Sequence, residues 1–190
     1  MTGSERRAVA EAGHRGDVPT AVQGLRASDP AVRATALGAL DRIGVLTDAT
    51  LAGAFTDPSA VVRRRAAELA ARRSGIGLDP LLRDPDPTVV EMACWACGEQ
   101  ERSDPVPTLT DLAASHRDPL VREAAVAALG AIGDEGGLDA ILSACEDKPA
   151  VRRRAVLALA PFDGPRVDAA LERARRDRDW QVRQAAEDLA

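Results

Sequence analysis

Two cysteines three residues apart, in Cys94-Trp95-Ala96-Cys97, form the first grouping in this chain whose residue types could do chemistry. Such a pair serves as a redox dithiol or as half of a metal site, because thiolates bind soft metals and a helix N-terminus lowers a thiol's pKa. Cys145 lies far along the chain, and neither a histidine nor a second CxxC accompanies the pair, so the ligand count falls short of a metal site. His14 and His116, the two histidines, fall near the ends of expected helices, where a partly cationic imidazole suits the helix dipole. No nucleophile elbow, phosphate-cradling glycine loop or carboxylate pair stands out. What remains is Trp95 and three arginine clusters, at Arg63 to Arg65, Arg72 with Arg73, and Arg152 to Arg154. These residue types bind surfaces, and they point to recognition rather than catalysis.

The elements that must position them announce themselves through a repeated phrase: a loop aspartate, usually a proline, then Val-Arg and an alanine-rich apolar run. The copies begin at Asp29, Asp57, Asp86, Asp118, Asp147 and Asp179. Their arginine positions fall at 33, 63, 90, 122, 152 and 183, with Val90 standing in the third where the others have arginine. Intervals near thirty residues fit a two-helix unit that cannot bury its apolar face alone and stacks on its neighbours. Aspartate is a favoured N-cap and proline a favoured first helical residue, so the phrase opens the second helix of each unit. Second helices are expected near 30–43, 60–73, 87–99, 119–132, 149–160 and 180–189. First helices are expected near 19–27, 48–55, 78–83, 105–116, 135–145 and 165–176, the third being shortest and carrying Pro80. The whole chain, 1–190, then forms a single domain: an N-terminal cap at 1–17 and repeats near 18–45, 46–75, 76–101, 102–133, 134–161 and 162–190. Gly44, Gly75, Gly77, Gly133, Gly136 and Gly137 fall at the turns, where left-handed backbone is expected.

Within a second helix, Val32, Ala36 and Leu40 mark one apolar face at helical spacing, and the other repeats align with it. Cys94 and Cys97 align with Leu37 and Leu40, in mid-helix, where free cysteine acts as a small hydrophobe. Trp95 falls on the opposite ridge, at the position of Gly38, Glu68, Ala127 and Leu157. The same ridge gathers Met92, Trp95, Ala124, Ala127 and Leu157 as an apolar centre, flanked by Arg64, Arg65 and Arg72 on one side and Arg153 and Arg154 on the other. Trp180 replaces the proline of the last phrase and is expected to pack over the C-terminal end.

Composition bounds the rest. Hydrophobic residues make up 45% of the chain but are mostly small and aliphatic, with four aromatics in all, which suits close stacking more than an enclosed pocket. A net charge of −5 argues against general nucleic-acid binding, which needs a basic face to offset phosphate. The absence of a long apolar run argues against a membrane span, and the absence of an export signal leaves the cytoplasm, with reduced thiols, as the expected compartment.

The Asp-Pro-x-Val-Arg phrase, with Ala36 to Leu40 and the Ala-Val-Ala-Ala-Leu-Gly-Ala-Ile-Gly run of Ala125 to Gly133, resembles HEAT repeats, especially the short bacterial phycobilisome-lyase HEAT-like kind. The resemblance implies an all-α, right-handed α-α superhelix of about six two-helix repeats, with the second helices on the concave, binding side. It also implies a ladder of charged hydrogen bonds between repeats, from Asp29, Asp57, Asp118, Asp147 and Asp179 with Arg33, Arg63, Arg122, Arg152 and Arg183, broken at Val90. The function expected is a non-enzymatic scaffold that holds an unidentified protein on the ridge around Trp95, without a cofactor. A lyase-like or accessory role on a small chromophore is the alternative, and nucleic-acid binding through the arginine clusters comes third. Deoxyhypusine hydroxylase, another HEAT-repeat enzyme, needs paired His-Glu motifs, and neither His14 nor His116 is followed by glutamate.

Overall fold

The computed structural model describes residues 2–189 and is helical throughout, with thirteen α-helices among the described residues. After α1 (Thr2–Arg15), first and second helices alternate in six pairs. The pairs are α2 (Val18–Gly24) with α3 (Pro30–Ile43), α4 (Asp48–Gly53) with α5 (Ala60–Ala70), α6 (Asp79–Leu82) with α7 (Pro87–Gln100), α8 (Val106–Ser115) with α9 (Pro119–Ile132), α10 (Leu138–Ala144) with α11 (Pro149–Ala158), and α12 (Pro165–Ala174) with α13 (Trp180–Glu187). Single 3-10 turns extend the second and fifth first helices at Ala54–Thr56 and Glu135–Gly137. The helix starts follow from the repeated phrase: Asp29, Asp86, Asp118 and Asp179 each accept the N–H of the residue two further on. Left-handed glycines end α3 and α9 at Gly44 and Gly133, as expected, whereas Gly75, Gly77, Gly136 and Gly137 keep negative φ.

Packing follows the stack. Each second helix lies against the next, from α3 through α13, with α1 serving as the neighbour of α3. Small residues bring this layer close. A Cβ added at Gly130 would lie 2.6 Å from the Cα of Ala158, and one at Gly13 would lie 2.9 Å from that of Ala39. In every pair but the last the first helix is the shorter, and the first helices contribute Leu51, Leu81, Leu109 and Ile141 to the core, all fully buried.

The inter-repeat ladder exists, but its acids are not all those expected. Arg33 grips Asp57, Arg63 grips Asp84, Arg122 grips Asp147 and Arg152 grips Asp177, each through Nε and Nη2 at 2.6–2.9 Å. Nη1 of each arginine donates to the carbonyl that opens its own repeat, at Ala27, Asp57, His116 or Asp147. Each ladder carboxylate also accepts the N–H of the N-cap residue beside it, at Ser59, Asp86, Lys148 or Asp179. Asp29, Asp118 and Asp179 are therefore N-caps, because the ladder acid must stand upstream of the cap to face the preceding repeat. Arg183 joins no ion pair among the described residues and donates to the carbonyls of Asp177 and Arg178.

The third rung is replaced, not merely lost. Val90, 1% exposed, occupies the arginine position, and His116 occupies the ladder-acid position of the next repeat. The Nδ1 of His116 accepts the Asp118 N–H at 3.1 Å, which is the cap contact the ladder carboxylates make elsewhere. Both charged partners are exchanged together, so no charge is left buried without its counterion. The joint between α7 and α9 is the most extensive helix contact in the chain, with Gly98 set against Ala128. His116 thus does more than suit a helix end.

A second set of links joins the C-terminal ends of the second helices. Arg73 donates to Asp41, to Asp48 and to the carbonyl of Leu46 in the preceding repeat. At the equivalent position one repeat later, Gln100 sends its Nε2 to the carbonyls of Ala70, Arg73 and Ile76. These carbonyls lie at and just beyond the end of α5; those of Ala70 and Arg73 also accept the N–H groups of Arg73 and Ile76, and the amide is a second donor to them. At the far end, Trp180 is 65% exposed and does not pack over the core. Proline-like N1 geometry turns its side chain outward, and Val182, Ala185, Ala186 and Leu189 close the end instead.

Candidate partner-binding groove

Four consecutive second helices, α5, α7, α9 and α11, enclose an open groove of about 830 Å³. Its floor is Met92, Ala124, Ala127 and Ala128, with Gly98 allowing α7 and α9 to meet closely beneath it. Trp95 rises from α7 at 45% exposure, and Leu120, 57% exposed, stands on the first turn of α9. An exposed indole beside an aliphatic side chain over an alanine floor is the composition of a contact centre, since large rigid surface is presented without being buried by the fold.

The alignment explains why the groove lies there. Gly38, Glu68, Trp95, Ala127 and Leu157 hold one register of the second helices. At Gly38 the space is filled by the Arg65 guanidinium, whose Nη2 would lie 2.6 Å from an added Cβ. At Leu157 the side chain is half-buried against the C-terminal cluster of Val156, Val182 and Ala186. Around Trp95 and Ala127 a large residue faces a small one across neighbouring helices, and neither position is filled from within the fold as those at Gly38 and Leu157 are.

Of the residues expected on this ridge, Met92, Trp95, Arg64 and Arg154 line the groove together. Arg65 does not, because Glu68 holds it at 2.7 Å over Gly38. Leu157 is drawn into the C-terminal packing, and Arg72 and Arg153 are exposed outside the groove. The acidic side of the lining went unforeseen: Glu68, Glu91, Glu99 and Glu123 all face it. The signal was available, since Glu91 and Glu99 flank Trp95 at four-residue spacing. Arg154 approaches Glu123 at 3.6 Å.

The cysteines take no part. Cys94 and Cys97 are fully buried, and burial pushes both thiols up, Cys97 to about 12 and Cys94 further, while Cys145 is raised to about 11. Thiols held protonated are poor nucleophiles and poor metal ligands. Among the described residues, no three of His, Cys, Asp and Glu group as a metal site would require, and no helix is long and apolar enough to cross a membrane.

With the two-helix units and their arginine ladder in place, comparison with known proteins agrees. The family model for HEAT repeats matches residues 78–160. Over that segment the chain is similar to HEAT repeats. No curated protein matches it significantly. Among solved structures, this chain is similar to the Escherichia coli protein YibA, at 20% identity over 97% of this chain and 74% of that one, with a TM-score of 0.71. It is also similar to the CpcE–CpcF complex of phycocyanin lyase from Nostoc sp. PCC7120, at 23% identity over 89% of this chain and 74% of that one, with a TM-score of 0.65. A designed armadillo repeat protein in complex with the peptide (KR)4 matches at 19% identity over 90% and 97% of the two chains, with a TM-score of 0.67. These likenesses are of fold.

Proposed function

We propose that this protein is a non-catalytic interaction module of HEAT-like repeats that holds a partner polypeptide along its second helices, in the groove centred on Trp95. The observation that carries the reading is the groove itself: an exposed indole and Leu120 over an alanine floor, spanning four repeats. The core does not need Trp95 there, and the equivalent positions are glycine, glutamate, alanine or leucine. Its titratable lining consists of glutamates and arginines, which suits recognition more than acid–base or nucleophilic chemistry. Two neighbours in fold engage polypeptides, one in the CpcE–CpcF complex and one with (KR)4, which supports a polypeptide as the partner.

Paired capture tests the reading, with wild type and Trp95→Asp as baits in lysate of the native host, after both show the same circular dichroism and melting. The expected result is a defined set of proteins retained by wild type alone. Equal retention by both baits would place binding on another face and refute the assignment.

A further inference from the structure

We propose that the groove takes a cationic polypeptide segment, whose lysine or arginine side chain stacks on the Trp95 indole between the carboxylates of Glu91 and Glu99. This rests on the reading of the groove as a partner-binding face and adds the chemistry of the partner. Glu91, Trp95 and Glu99 recur at four-residue intervals on α7, so they form one stripe along the helix, and all three are exposed. Glu68 adds a carboxylate from α5 and Glu123 one from α9, against Arg64 and Arg154 as the lining's cations.

The carboxylates are not equally available. Glu68 is held by Arg65 at 2.7 Å and Glu123 faces Arg154 at 3.6 Å, whereas Glu91 and Glu99 join no ion pair among the described residues. The two acids left for an incoming charge are those on either side of the tryptophan. A cation over an indole is attracted by the ring's electron-rich face, and flanking carboxylates reinforce that attraction and orient the cation. Met92, Ala124 and Ala127 offer an apolar floor to the methylene stem of such a side chain. An acidic segment would meet an excess of negative charge here, although arginine clusters lie close by in sequence.

The test uses the full chain carrying Trp180→Phe, which leaves Trp95 as the one indole, titrated with an octapeptide of alternating lysine and arginine and with one of alternating glutamate and aspartate. The basic peptide should change Trp95 emission saturably. Combined Glu91→Gln and Glu99→Gln should weaken that binding about ten-fold. Asp168→Asn with Glu187→Gln, which removes the same charge outside the groove, should leave it within about two-fold. No saturable response to the basic peptide, or an undiminished response in the Glu91/Glu99 variant, would overturn the proposal. Saturable binding of the acidic peptide would overturn the partner's charge and leave the groove as a binding face, whereas capture unchanged by Trp95→Asp would remove the underlying reading itself.

Discussion

The replaced rung between the third and fourth repeats can be rebuilt, and rebuilding it tests whether the ladder works as a set of matched pairs. In the four intact rungs the arginine side chains are 7–15% exposed and bind their carboxylates through two bonds. Val90→Arg alone would place a guanidinium at this depth opposite His116, without a carboxylate, at a cost of about 3 kcal/mol. His116→Asp alone keeps the contact to the Asp118 N–H but leaves a carboxylate without its arginine, at about 1–2 kcal/mol. The double variant restores both members and should return to within about 1 kcal/mol of wild type, a coupling of about 3 kcal/mol. For a chain of this length each kcal/mol corresponds to about 2–4 °C in Tm. Circular-dichroism melts of the four proteins should therefore show Val90→Arg lowered by about 6–12 °C and the double variant recovering most of that loss. A double variant that melts as low as the two single effects combined would refute the paired-rung reasoning, because the position would then tolerate only an apolar residue.

Three further outcomes follow from the same geometry. Gly130→Ala drives a Cβ into the backbone of Ala158 and should cost about 1–3 kcal/mol despite better helix propensity, while Gly38→Ala meets only the movable Arg65 guanidinium and should be neutral or slightly stabilising; paired thermal melts would show whether the contrast holds. Gln100→Leu removes an amide that bridges three carbonyls at the end of α5, two of which keep a backbone donor, and should lower the urea midpoint by the equivalent of about 1 kcal/mol, so an unchanged midpoint would show that water replaces the amide. Hydrogen bonds from Arg33, Arg122 and Arg152 hold the carboxyls of Asp57, Asp147 and Asp177 below the usual carboxylate range. Groups depressed in the folded state contribute stability above their unfolded pKa of about 3.9, and that stability is lost as pH falls through the folded values. Tm should thus be level from neutral pH to about pH 5 and fall steeply below about pH 4. Asp147→Asn should shrink the fall and lower the plateau, and an equal acid drop in that variant would remove the ladder as its cause.

The architecture was legible because one local device, an aspartate followed within two residues by a proline, recurs at the start of five of the six second helices and fixes the register of everything after it. The ladder was legible in its arginines but not in its acids. A carboxylate that caps and one that reaches the preceding repeat stand two residues apart in Asp84-Pro85-Asp86 and Asp177-Arg178-Asp179, and spacing alone does not say which one is gripped. The groove was legible in part for a related reason. Angular position put Met92, Trp95, Arg64 and Arg154 on one ridge, but whether a long side chain turns into the groove or over its own neighbour depends on local partners. Arg65 follows Glu68 over Gly38, and Leu157 follows the C-terminal cluster. Trp180 shows the limit most plainly, since a tryptophan at the first position of a helix points outward whatever the end of the stack requires.

Repetition itself separates what folds this chain from what it does. Positions that face the neighbouring repeat are held to one chemistry: valine and alanine in the core, small residues where second helices touch, arginine on the ladder. Positions on the opposite ridge are held to none, which is why one register runs from Gly38 through Glu68 and Trp95 to Ala127 and Leu157. A residue that departs from its repeat-mates on the constrained face calls for a compensating change nearby, and Val90 has one in His116. A residue that departs on the free ridge needs no such partner within the fold. Trp95 has none among the described residues: its neighbours are an alanine floor and the carboxylates of Glu91 and Glu99, which join no ion pair there, and its size fits the binding role proposed for the groove.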